Sequence, residues 1–229
     1  MLATDALRTR RSIRRFLPDA VPAATVTRIL EGAARAPSGH NTQPWKVYVV
    51  TGEVRARLVE DFLKVVTSEP WEQRKPEYDY YPTTWIDPFL GRKRKLGLDL
   101  YATLNIDRGD MPARERQMHE NFKFFGAPVG MFITFDRRMA TGTFLDAGMF
   151  IQSIMIGARA EGLDTCGQAI FTWVHDIVRK HLPVPDEELL ACGIALGKAD
   201  PSAPENTFVV DKLPVSSFAT FHGFTDAQG

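Results

Sequence analysis

Apolar residues recur along this chain with two different periods. Val26, Ile29, Leu30 and Ala33 fall three and four apart, predicting a helix that opens at Pro22 and ends before Pro37. Residues 3–9 predict a shorter helix ahead of it. KVYVV at 46–50 is β-branched and aromatic, which predicts a strand with its turn at Thr51-Gly52. From Glu53 to about Val66 the residues Val54, Leu58, Phe62, Leu63 and Val66 gather near one face of a second helix. Further helices are expected near 113–125 and 172–182, and further strands at 128–135, 164–171 and 189–197.

Two stretches break the rhythm in opposite ways. Residues 143–160, TFLDAGMFIQSIMIGARA, are apolar on nearly all sides for about five turns. A helix of that kind is covered by protein all round, and in a chain of 229 residues the economical cover is a second subunit. A dimer is therefore expected. From Ser68 to about Arg108 the periodicity dissolves among Pro70, Pro76, Pro82 and Pro88, while Trp71, Tyr78, Tyr80, Tyr81, Trp85, Phe89 and Tyr101 remain. A long irregular segment rich in rings is expected to be functional, because those rings need apolar surface to cover. The tail from Asp200 to Gly229 keeps Phe208, Val209, Val210, Leu213, Phe218, Phe221 and Phe224, and should pack on the partner subunit. The alternation of helices and strands implies an α+β or α/β sandwich. With no linker in view, residues 1–229 read as one domain.

Charge narrows the functions. Lysine and arginine balance aspartate and glutamate at 28 each, so no global field attracts nucleic acid or an acidic membrane. No apolar run approaches the ~20 residues that span a bilayer, and MLATDALRTRRS lacks the apolar core of a secretory signal. Cys166 and Cys192 sit in strand-like runs and read as buried thiols, so a cytoplasmic protein is expected. The sequence contains no G-x-G-x-x-G after a strand, no P-loop and no G-x-S-x-G. His40, His119, His175, His181 and His222 show no metal spacing, and no metal site is expected. Trp173 and His175 read as packing and surface residues.

Four clusters could carry chemistry. Arg10-Arg11-Ser12-Ile13-Arg14-Arg15 offers guanidinium forks and a hydroxyl suited to a phosphate monoester, although a solvated basic turn or a nucleic-acid patch has the same composition. Pro37-Ser38-Gly39-His40-Asn41-Thr42-Gln43-Pro44-Trp45 could present hydrogen-bonding groups in a fixed shape to a planar heterocycle, or be an ordinary turn. Gly162 to Ile170 could let backbone approach a ligand or merely turn the chain. Lys212, in NTFVVDKLP at 206–214, is by itself an ordinary solvent lysine.

In order and spacing these clusters resemble the FMN-dependent nitroreductase family. The resemblance rests on RRSIRRF, APSGHNTQPWKVYVV, FFGAP at 124–128, the pattern of Asp146, Gly148 and Gln152, then EGLDTC and ALGKADPSAPENTFVVDKLPV. It covers almost the whole chain except residues 68–116, which vary widely among relatives. It implies an α+β fold, a three-layer α/β/α sandwich around a mostly antiparallel sheet, in an intertwined homodimer with FMN at the interface. Residues 68–116 would be a variable aromatic lid, and residues 200–229 a tail on the partner. By position, Arg10, Arg11 and Ser12 would hold the FMN phosphate and ribityl chain, with Lys212 closing the site where relatives commonly carry arginine. Arg14 would lie near the flavin N1–O2 edge. Pro37, Ser38, Gly39 and Asn41 of the other subunit would line the isoalloxazine and ribityl. Backbone at Gln168, Ala169 and Ile170 would face N5 and O4, in a turn where relatives often have glycine. The implied reaction is a ping-pong transfer from NAD(P)H to small aromatic acceptors such as nitroaromatics and quinones, with no catalytic side chain. A same-fold reductive dehalogenase or flavin-modifying enzyme is the alternative, and Glu77, Tyr78 and Lys93 are residues of the types that a dehalogenase lid uses.

Overall fold

Four strands supply the frame: β1 (Lys46–Val50), β2 (Val129–Asp136), β3 (Asp164–Gln168) and β4 (Glu188–Gly197). They form one antiparallel sheet in the order β1-β2-β4-β3, and the computed structural model describes residues 1–224. The period of two sorts their side chains between two faces. Val47, Met131, Ile133, Ile194 and Leu196 point to one apolar cluster, and Tyr48, Val50, Phe132, Leu190 and Ala195 to the other. Helices α2 (Ala23–Ala33) and α6 (Thr143–Ala160) cover the first face, while α3 (Gly52–Ser68) and α7 (His175–His181) cover the second. This is the expected three-layer sandwich. Helix α1 (Ala3–Thr9) leads into the basic turn.

The second face holds a phenylalanine cluster. Phe124 and Phe171 stack with centroids 4.6 Å apart, and Phe62, Phe122 and Phe132 close around Phe171. Strand glycines make room for it. A Cβ on Gly130 would lie 2.6 Å from the Phe124 ring, and one on Gly193 would lie 2.3 Å from Phe171.

Three boundaries differ from the periodicity. The helix expected over 113–125 is α5 (Met111–His119), followed by a 3-10 segment that is broken at Phe124 and Phe125, where φ is +54°. The strand expected at 164–171 stops at Gln168, and 3-10 turns carry Ala169–Val174 before α7 begins. Within the stretch that read as irregular stands a 15-residue helix, α4 (Phe89–Thr103). None of its residues is buried, so it has no apolar stripe to reveal it.

Helix α6 buries Asp146, Ala147, Phe150, Ile154 and Ala158. Leu145, Gly148, Met149 and Gln152 form an exposed stripe at helical spacing along the same helix. The tail is likewise exposed at Val209, Leu213, Val215, Phe218, Phe221 and Phe224, and its last residues, 225–229, lie outside the described residues. Among the described residues no helix is long and apolar enough to cross a membrane.

One buried carboxylate ties the sheet's edge strand to its centre. Glu188, 3% exposed, accepts from Lys46 Nζ (2.6 Å), from the Tyr48 hydroxyl (2.9 Å) and from Thr134 Oγ1. Burial raises its pKa, but the bonds from Lys46, Thr134 and Tyr48 outweigh burial and hold it below the ordinary carboxylate range. Burial and the same carboxylate push the Tyr48 hydroxyl up to about 12, so it remains a donor. A lowered pKa means that the ionised form contributes stability above the ordinary carboxylate pKa, and that this is lost as pH falls through the lowered value. Glu188→Gln should therefore cost about 1–3 kcal/mol in urea denaturation at pH 7, with the gap shrinking below about pH 4. A gap of constant size across that range would refute this account.

Candidate functional site

The basic turn owes its shape to two apolar residues set among the arginines. Ile13 and Phe16 are buried in the core, which leaves Arg10, Arg11 and Arg14 to face outward. Backbone bonds fix the turn against the sheet. Ile13 N donates to Thr165 O (3.1 Å), Phe16 N to Phe125 O (3.1 Å) and Leu17 N to Lys198 O (2.9 Å). Asn206, buried at the start of the tail, clamps the middle. Its Oδ1 accepts from Arg14 N (2.9 Å), and its Nδ2 donates to Arg15 O (2.7 Å) and Asp200 O (2.9 Å).

What the turn presents is a cleft of about 410 Å³ lined by Arg8, Arg10, Arg11, Ser12 and Arg14, with Lys212 and the Phe208–Val210 segment opposite. Among the described residues no aspartate or glutamate lines it. Arg15 does not join it, because its guanidinium turns to Glu205 (3.0 Å) and Glu120 (3.5 Å). Five cations and a hydroxyl facing one space without a carboxylate suit a phosphate monoester, whose oxygens take charge-assisted, forked hydrogen bonds. The phosphate end of FMN fits that donor set.

Ser12 also lines a second cleft of about 360 Å³, together with Tyr78, Tyr80, Met155, Gly167, Ala169 and Cys192. Gln168 lies buried beside it. Its Nε2 donates to Asn121 O (2.7 Å), while its Oε1 has no partner among the described residues. Ile170 packs into the core instead. Burial pushes the Cys192 thiol up to about 12 and raises that of Cys166, so neither supplies a thiolate. Burial likewise raises the Tyr78 phenol, which donates to Ala191 O (2.7 Å). The two clefts thus combine an anion anchor with a largely apolar shelf, and the shelf offers no activated thiol.

Pro37, Ser38, Gly39 and Asn41 line neither cleft of their own chain. They belong to a tight turn in which Gly39 N donates to Asp146 Oδ1 (3.1 Å) and Gln43 N to Ser38 Oγ (2.9 Å). His40, Asn41 and Gln43 all have positive φ, a conformation that residues other than glycine seldom adopt. The structure therefore gathers Arg10, Arg11, Ser12, Arg14 and Lys212, sets Ala169 next to them, and keeps the 37–41 turn apart.

Sequence reasoning missed Arg8, the clamp made by Asn206, and the fixing of Glu77. The Glu77 carboxylate, 2% exposed, is held by Arg179 and by Arg137 (2.6 Å). With Tyr78 bound to Ala191 O as well, two of the three residues of dehalogenase-lid type are engaged within the fold. Only the spread of arginines after a short helix signalled the cleft, and Arg8 lies inside that helix.

Comparison with known proteins fits this geometry. Residues 7–198 match the model of the Nitroreductase family. A nitrobenzene nitroreductase of Ectopseudomonas oleovorans is 39% identical over 217 residues, 95% of each chain. The crystal structure of an FMN and NADPH-dependent nitroreductase, NfnB from Sphigopyxis sp. strain HMH, superposes with a TM-score of 0.93 at 38% identity, over 98% of this chain and all of that one. NfnB from Mycobacterium smegmatis, an FMN-dependent nitroreductase solved in complex with NADPH, gives 0.90 at 30% identity, over 96% of this chain and 98% of that one.

Asn206→Ala should open the basic turn, since it removes the acceptor of Arg14 N and one of the two donors to each of the half-buried carbonyls of Arg15 and Asp200. The expected cost is about 1–3 kcal/mol, seen by calorimetry as a Tm lower by roughly 2–4 °C per kcal/mol. A Tm within about a degree of the parent would remove Asn206 from this role.

Proposed function

Because the chain belongs to the nitroreductase family, we propose that it is an FMN-dependent oxidoreductase that takes electrons from NAD(P)H and reduces small nitroaromatic and quinone-like acceptors. The observation that carries this reading is the carboxylate-free cleft of Arg8, Arg10, Arg11, Arg14 and Lys212 beside an apolar shelf. When bound, FMN supplies the redox chemistry, and the chain supplies position and charge.

Arg10, Arg11 and Ser12 hold the phosphate and ribityl chain, and Lys212 adds a point charge where a guanidinium would add a fork. Arg14 stabilises negative charge at the N1–O2 edge. Backbone at Gln168, Ala169 and Ile170 serves the N5–O4 edge. Pro37, Ser38, Gly39 and Asn41 come from a second copy of the chain, which accords with their absence from the clefts of their own copy. The exposed stripe Leu145, Gly148, Met149 and Gln152 on α6 and the exposed apolar tail supply the surface for that homodimer. Residues 68–116 act as a lid on a single nitroreductase-like domain. Donor and acceptor take turns in one site, and no side chain serves as nucleophile. The free thiols Cys166 and Cys192 fit a reducing compartment such as the cytoplasm.

The purified protein should be yellow, sediment as two chains, and oxidise NAD(P)H when given a nitroaromatic. Replacing Arg10 and Arg11 by alanine should weaken FMN about a hundredfold or more, because two charge-assisted bonds of roughly 1.5–3 kcal/mol each are lost. Flavin fluorescence titration reads this directly. A colourless protein that also fails to take up added FMN would end the reading.

A further inference from the structure

A larger groove lies beside the phosphate cleft and is not used by the flavin assignment. It measures about 600 Å³ and runs between α4 and the tail segment at Phe208–Leu213. Phe89, Arg92, Lys93 and Leu96 recur along α4 at helical spacing and form one wall. Leu96, Phe208, Val210 and Lys212 line both this groove and the phosphate cleft, so the two are continuous. A ladder of rings joins it to the apolar shelf. Tyr78, Tyr80, Tyr81 and Trp85 follow one another with centroids 6.2, 4.7 and 5.5 Å apart.

The charge of the groove is local and unbalanced, on a chain whose net charge is zero. Among the described residues its carboxylates are Asp99 and Asp211, both engaged by Lys95. Arg92 and Lys93 have no carboxylate partner among the described residues and lie against rings instead, with Lys93 Nζ 4.4 Å from the Trp85 centroid and Arg92 5.7 Å from Phe89. An aromatic wall carrying two uncommitted cations suits a ligand with a flat ring system and a phosphate ester next to it.

We propose that this groove holds the adenosine 2′-phosphate end of NADPH, with Arg92 and Lys93 reading the 2′-phosphate. The proposal rests on the oxidoreductase reading above and deepens it, because it makes NADPH the preferred donor over NADH. The groove, the ladder and the shelf then form one track along which an extended dinucleotide lies, its nicotinamide end toward the shelf.

Calorimetric titration of the purified holoenzyme with adenosine 2′,5′-bisphosphate and with 5′-AMP tests it without turnover. The bisphosphate should bind about tenfold or more tightly than 5′-AMP, and Arg92→Ser/Lys93→Ser should abolish that difference. Both side chains are exposed, so the variant keeps the fold. In steady-state assays the ratio of kcat/KM for NADPH to that for NADH should fall about tenfold in the variant, through KM for NADPH. Equal binding of the two nucleotides to the parent protein, or a preference that survives in the variant, overturns the proposal. So does a variant whose KM rises for 4-nitrobenzoate but not for nitrobenzene or NADPH, because the groove would then be an acceptor site. A protein that binds the bisphosphate selectively yet takes up no FMN would instead sink the parent reading and leave the nucleotide site standing.

Discussion

Everything proposed for this chain depends on Ile13 and Phe16 being buried inside a run of arginines. Side chains of like charge repel, and four arginines within six residues would spread into solvent if the backbone were free. Burying Ile13 and Phe16 removes that freedom. With the turn bonded to Thr165, Phe125 and Lys198, the guanidinium groups have only a few directions left. The core thus pre-organises the anion site, and a ligand arriving there has less ordering entropy to overcome. Asn206 belongs to the same device, since it links the turn to the tail that carries Lys212.

Most of the frame was legible from periodicity, because most of its elements bury one face. Helices α2 and α3 announced themselves by an apolar stripe, α6 by being apolar nearly all round, and β1, β2 and β4 as short apolar runs. Helix α4 did not, because it packs no residue into the core and carries Gly91 and Gly97. Its period lies in a mixture of rings and cations that a hydrophobic count passes over. The break at Phe124 and Phe125 was also hidden, because their positive φ leaves no mark in residue type.

The site was legible in part. The residue types of the basic run pointed to a phosphate ester, but composition could not say which arginines face the cleft. Arg15 is turned away by Glu205 and Glu120, partners that are distant in sequence. Lys212 becomes distinctive only beside Arg10 and Arg11, about 200 residues earlier, so its part came from resemblance alone. The 37–41 turn is a stronger case. Nothing in a single copy brings it to either cleft, and its assignment depends on a symmetry that one chain does not display.

The two sheet glycines that face the phenylalanine cluster set a limit on how this protein can change. Gly130 and Gly193 leave room that the Phe124 and Phe171 rings fill, at approaches too close for any methyl group. A larger residue at 193 therefore requires a smaller one at 171, and 130 is bound to 124 in the same way. Each pair is a single volume shared between two positions, so in any lineage of this fold substitutions there should arrive together or not at all.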